Sequence, residues 1–227
     1  MITRILFLAL FALAATMTIP DAFAPGKDVD VSVLSTAQAD RLFTEFKSHT
    51  EIPFNYPPDG CYARATAMSK IAEEEKIEMG KVWATGYLRV KTKSKYTPTI
   101  EWGYHVAPVV YVSDGGKPKL MVFDPSLFDK PVTVDEWTAK MNVDGNPKPH
   151  LDKIYYGARY QFGPLDTEPK KYSWNKEDIE TSKEVMEEYT ETEKKLEALG
   201  EGFNGGGSFF GSGSSGSSSG QTGQGVR

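Results

Sequence analysis

Between residues 36 and 162 the apolar positions change period several times, and each change marks an element. Leu42, Phe43 and Phe46 fall on one side of a helix predicted over 36–47. A Pro-rich approach from Pro53 to Pro58 ends at Asp59-Gly60, and a helical pattern restarts at Cys61. Ala65, Met68 and Ala72 follow Cys61 at steps of four, three and four, with Ile71 alongside, Asp59 as the expected cap and Gly80 as the expected stop. β-Branched and aromatic content predicts strands over 81–91, 100–112, 119–124 and 153–162. Thr133 and Glu136, just before Trp137, carry a capping-box signal for a short helix.

The flanks read differently. Arg4 precedes an apolar run over residues 5–15, and small residues follow as far as Ala22-Phe23-Ala24. That layout predicts a secretory leader over 1–24, too short to span a bilayer comfortably. Pro25 is a poor neighbour for a cut after Ala24, so a cut nearer Ala15 or a retained anchor are alternatives, and a buried N-terminal helix is the structural one. Residues 25–34 form a short extended lead-in, and 35–165 make the main globular domain. Over 166–200 lies a charged extension whose helix, 175–199, has a thin apolar set (Ile179, Met186, Tyr189, Leu196, Leu199) and a stop at Gly200; such a helix packs along one edge. Residues 201–227 are a Gly/Ser-rich tail expected to stay disordered.

Composition narrows the partners. Hydrophobic residues at 39% and charged residues at 25% suit a soluble globular protein, with no stable membrane span expected after processing. A net charge of −5, without a Lys/Arg cluster on any element, argues against nucleic acid. Export would place the protein in the periplasm or outside the cell, where cysteines usually pair. This chain has one cysteine, so it forms no internal disulfide, and a lone thiol there must be buried or used.

A nucleophilic cysteine needs a stabilised thiolate, a base and a group that orients the base. Cys61 falls in the first turn of its helix, where unpaired N–H groups and the helix dipole favour an anion and its own N–H can face an oxyanion. From this feature alone, a packing role on the apolar stripe is the commoner one. Of the three histidines, His49 and His150 read as surface loop positions. His105 lies inside the strand over 100–112, flanked on its face by Gly103 and Ala107, which leave room for another element. Strict alternation turns Trp102 and Tyr104 away from His105, towards core packing.

Asp114-Gly115-Gly116-Lys117 is a hairpin signal. With the two glycines at the turn centre, Ala107 faces Asp124 and His105 faces Ser126, so Asp124 shares the face of His105 one diagonal step away. Such neighbours lie about 7–8 Å apart, within reach of their side chains. Asp124 also suits the start of a turn at Asp124-Pro125-Ser126, and both roles are compatible.

Three ordered blocks carry a family resemblance: Tyr56-Pro57-Pro58-Asp59-Gly60-Cys61-Tyr62-Ala63-Arg64-Ala65, then Trp102-Gly103-Tyr104-His105-Val106-Ala107, then Asp124-Pro125-Ser126-Leu127-Phe128 with Pro131-Val132 and Trp137. Across about 35–165 the chain resembles the bacterial protein-glutaminases, within the papain- and transglutaminase-like cysteine enzymes. The resemblance implies an α+β fold in which a helix bearing Cys61 packs on an antiparallel sheet bearing His105 and Asp124. It further implies that these three residues form a catalytic triad for deamidating glutamine side chains in proteins or peptides, through a cysteine thioester and with ammonia release. No cofactor or metal is implied. Departures from the family are the missing disulfides, a short segment where relatives carry a sizeable pro-region, and Thr66 where the cysteine helix often has a histidine. The alternatives are a transglutaminase, a cysteine protease or cell-wall amidase on the same fold, and a non-enzymatic exported binding module with Cys61 buried.

Overall fold

The structure is a computed structural model and describes residues 15–24, 27–92, 94, 97–164 and 172–203. Its elements in chain order are β1 (Thr16–Pro20), β2 (Asp28–Leu34), α1 (Thr36–Ser48), α2 (Cys61–Glu74), β3 (Gly80–Lys91), β4 (Thr99–Val112), β5 (Lys119–Val122), β6 (Val132–Thr133), α3 (Val134–Lys140), β7 (His150–Ala158) and α4 (Lys176–Phe203). The strands form one seven-stranded sheet in the order β1-β2-β4-β3-β7, with β5 added to β4 and β6 to β5. The fold is α+β as expected, but the sheet is not wholly antiparallel, because β2 runs parallel to β4 at Val33↔Tyr111 and Leu34↔Val112.

Local signals account for several boundaries. Ser35 with Gln38, and Thr133 with Glu136, close full capping boxes at the starts of α1 and α3. The hairpin pairs Val109 with Val122 and Val112 with Lys119, the register set by a turn centred on the two glycines. Other boundaries follow packing instead. Gly80 does not stop α2, which ends at Glu74; it opens β3, where an added Cβ would lie 2.5 Å from Ile19 Cδ1 and displace that methyl. The last long strand begins at His150 and ends at Ala158, so His150 lies on β7 and not in a loop. Gly200 lies inside α4, which runs on to Phe203.

Leu42, Phe43 and Phe46 of α1 are buried, and both phenylalanines meet the ring of Phe123 at centroid distances of 6.0 Å. Helix α2 is the centre of the molecule, with Cys61, Ala63, Arg64, Ala65, Thr66, Met68, Ser69 and Ala72 all buried. The sheet covers it through β4, and α4 lies along it with Met186 and Ser182 buried. The lead-in is strand β2, and part of the expected leader is structural: β1 pairs with β2 from Thr16↔Ser32 to Pro20↔Asp28, and Phe23 packs edge-on against Trp83 and Tyr155. Residues 1–14 of that leader and the tail from 204 lie outside the described residues. Among the described residues no helix is long and apolar enough to cross a membrane.

Candidate active site

Gly60 caps α2 with φ 77°, a left-handed conformation that glycine adopts without penalty. This turn aims the first N–H groups of α2 past Cys61. Asp59 is not the cap that the sequence suggests; its Oδ1 accepts from Gly60 N at 2.6 Å, and no side chain caps the helix. Cys61 is 3% exposed and packs in a cluster with Ala65, Trp83 and Val106.

His105 sits on β4 opposite Ala84 of β3, and it is 1% exposed. Its Nε2 meets Asp124 Oδ2 at 2.8 Å. The other ring nitrogen, Nδ1, has no fully aligned partner, yet the Cys61 thiol is close enough to act on the imidazole. Loose alignment of this kind is usual before substrate binds. The thiol side of the ring is Nδ1, because Asp124 occupies Nε2.

Asp124 follows the end of β5 rather than lying on the strand. Phe123 N donates to Pro108 O at 2.9 Å, the last step of the ladder, and Leu127 N and Phe128 N then close a turn on Asp124 O at 3.1 and 3.0 Å. The turn and the histidine contact therefore coexist. Ser126 Oγ donates to Asp124 Oδ1, and Trp137 Nε1 donates to Oδ2 at 2.9 Å. Burial by itself would raise this carboxyl, but the His105 charge and the hydrogen bonds from His105, Ser126 and Trp137 outweigh it and hold the pKa well below the usual range. For His105 burial acts to lower the pKa, and the charge and hydrogen bond of Asp124, with a contribution from Cys61, raise it instead. Both shifts favour a carboxylate facing an imidazolium.

Two indoles enclose that imidazole. Trp102 stacks on it at 4.3 Å and 8°, and Trp137 lies on it at 5.5 Å and 24°. The expectation that Trp102 faces away is thus overturned. The β3–β4 ladder shifts register between Thr85 and Leu88, opposite Tyr104 and Trp102, and strict alternation does not carry across an irregularity of this kind. Tyr104 does pack into the core, 5.9 Å from Trp83. Trp102 Nε1 also donates to Pro58 O at 3.0 Å, which ties the histidine strand to the loop before Cys61.

Arg64 was outside the chemical reading of the sequence. Its guanidinium is buried, and Nη1 donates to Tyr56 O at 3.2 Å and Asp59 O at 2.7 Å. Burial lowers its pKa, opposed by the charges of Cys61, Asp124 and Asp59. A buried cation one turn along from the thiol favours anionic groups there. The signal in the sequence was an arginine on an otherwise apolar helix stretch. Thr66 accepts from the buried Lys81 Nζ at 2.9 Å. His49 and His150 face the local carboxylates of Glu51 at 2.6 Å and Asp152 at 3.5 Å. Among the described residues no group of three or more His, Cys, Asp or Glu could hold a metal ion.

Residues 39–141, from within α1 to the end of α3, match the family model described as glutaminase. Among solved structures, a crystal structure of protein-glutaminase aligns with TM-score 0.59 and 24% identity, covering 70% of this chain and 88% of that one. The NMR structure of protein-glutaminase from Chryseobacterium proteolyticum aligns with TM-score 0.55 and 26% identity over 66% of this chain and 85% of that one. The crystal structure of pro-protein-glutaminase gives TM-score 0.59 and 24% identity over 70% of this chain, which spans 58% of that longer one. No match is found among curated proteins. Fold and family match together define a hydrolase of glutamine side-chain amides. The glutaminase match over residues 39–141 and the likeness to protein-glutaminase structures together support a protein-glutamine deamidase.

Proposed function

We propose that Cys61, His105 and Asp124 carry out the deamidation, with Cys61 as nucleophile, His105 as general acid and base, and Asp124 as the group that orients the imidazole. The observation that carries this reading is the buried His105–Asp124 contact of 2.8 Å on a ring that also faces the Cys61 thiol. The Cys61 thiolate attacks the side-chain amide carbon of a glutamine exposed on a protein. The oxyanion that forms faces the Cys61 N–H. As the C–N bond breaks, imidazolium His105 gives its proton to the departing nitrogen, which leaves as ammonia. The neutral ring then takes a proton from water. The hydroxide formed attacks the thioester, the C–S bond breaks, and glutamate leaves with Cys61 again a thiolate. Asp124 keeps the ring orientation fixed through both steps.

The test is ammonia release from a denatured protein substrate, with a gain of about 1 Da per glutamine read by mass spectrometry. C61A and H105A are each expected to abolish it. Activity retained by the C61A protein overturns the assignment. Ammonia leaves when the thioester forms whichever acceptor follows, so crosslinked products in place of the gain of about 1 Da would assign the thioester to an amine acceptor instead of water.

We also propose that the protein is exported and that its leader is cut near Ala15. A cut there keeps β1 and the Phe23 contacts, whereas a cut after Ala24 would remove both.

A further inference from the structure

The loop Asn55–Gly60, which delivers Cys61, is gripped from two sides. From within, Arg64 Nη1 holds the carbonyls of Tyr56 and Asp59. From outside, α4 supplies the second grip. Tyr189 Oη donates to Asp59 Oδ2 at 2.9 Å, and the Tyr189 ring lies 5.2 Å from that of Tyr56. The same ring presses on the helix cap: a Cβ added to Gly60 would lie 3.0 Å from Tyr189 Cδ2 and Cε2, and 3.3 Å from Val185 Cγ1. Farther along α4, Glu193 Oε1 accepts from Asn55 Nδ2 at 2.7 Å, and Thr190 Oγ1 donates to Glu51 O at 3.2 Å. Asp59 thus bridges the two: one carboxylate oxygen takes the Gly60 N–H and the other takes the tyrosine hydroxyl. Burial and the Asp59 charge raise the Tyr189 pKa, so the phenol stays a donor.

We propose that Tyr189 is a positioning residue for the deamidation. Through Asp59 it fixes the Asp59–Gly60 peptide, and with it the left-handed Gly60 turn that sets where the Cys61 N–H points towards the oxyanion. The proposal rests on the assignment of Cys61 as nucleophile. It places α4, which lies wholly beyond the matched residues 39–141, inside the catalytic unit rather than beside it. An oxyanion donor acts only when aimed at the developing charge, and small misplacements of reacting groups cost rate rather than binding.

The test uses the full chain and a glutamine-containing peptide. Y189F deletes the hydroxyl and keeps the ring on Gly60; D59N alters the same contact from the other end. Each is expected to lower kcat about tenfold with KM within about twofold. The Y189F/D59N double variant is expected to lose little more than either single variant, because one hydrogen bond is removed twice. Wild-type kcat in Y189F, a loss confined to KM, or additive losses in the double variant would each overturn the proposal. If Y189F folds poorly, the D59N kcat decides alone, with wild-type kcat overturning the proposal. A wild-type protein that labels at Cys61 with iodoacetamide but releases no ammonia overturns the triad assignment instead, which separates the two failures.

Discussion

The indole of Trp102 lies flat on the imidazole of His105, with ring centroids 4.3 Å apart and planes 8° from parallel. Its other edge donates to Pro58 O, so one side chain sets the plane of the proposed base and anchors the loop of the proposed nucleophile. An aromatic face over an imidazolium also stabilises the charged form.

Replacing Trp102 by leucine is therefore expected to do more than open space. Losing the stacked face removes a contact that favours the charged ring, so the alkaline limb of the pH–rate profile is expected to move down. A kcat loss with an unmoved alkaline limb would assign Trp102 to packing alone.

Asp124→Asn tests the other side of the ring. The amide keeps the shape but removes the charge that raises the His105 pKa, so the alkaline limb returns towards the ordinary histidine range. kcat is expected to fall on the order of a thousandfold. Steady-state kinetics from acid to alkaline pH read both effects.

Stability should follow the same titration. His105 has a folded-state pKa raised to about 9, above its unfolded value. Its contribution is full below the unfolded value and disappears as pH rises through about 9. The melting temperature should fall between about pH 7 and about pH 10, and H105Q should show a flatter profile over that window. Equal slopes in the two proteins would remove His105 from the account.

Two glycines near the site should respond in opposite ways. Gly60→Ala meets a left-handed backbone and the Tyr189 ring, and should cost about 1–2 kcal/mol with loss of activity. Gly103→Ala meets nothing within 4 Å and should change stability by no more than about 0.5 kcal/mol. Denaturant titrations of both variants make the comparison.

If the proposed export takes place, N-terminal sequencing of the processed protein should begin close to Thr16. A chain starting after Ala24 loses Ile19, which is 2% exposed, and the Phe23 contacts with Trp83 and Tyr155. Each such side chain contributes about 1.5–3 kcal/mol, so the shortened protein should unfold at a markedly lower denaturant midpoint.

Much of the site was legible because it depends on near neighbours in sequence. Two glycines at a hairpin centre set the pairing of Val109–Val112 with Lys119–Val122, and that register carries Asp124 to His105. A threonine three residues before a glutamate started α3, and so placed Trp137. Where one residue has two uses, the sequence alone did not choose. Gly80 has the composition of a helix stop, but the approach of Ile19 from a distant strand decided its place. Asp59 has the chemistry of a cap, but Tyr189, 130 residues away, takes its second oxygen. Trp102 obeys alternation only if the strand is regular, and the shift in the β3–β4 ladder puts it on His105. The chain itself determined the hairpin, the capping box of α3 and the helix that starts at Cys61, because local torsions and short-range hydrogen bonds specify them. Tertiary structure decided what encloses the imidazole and what grips the cysteine loop, because those contacts form only when distant elements compete for the same buried space.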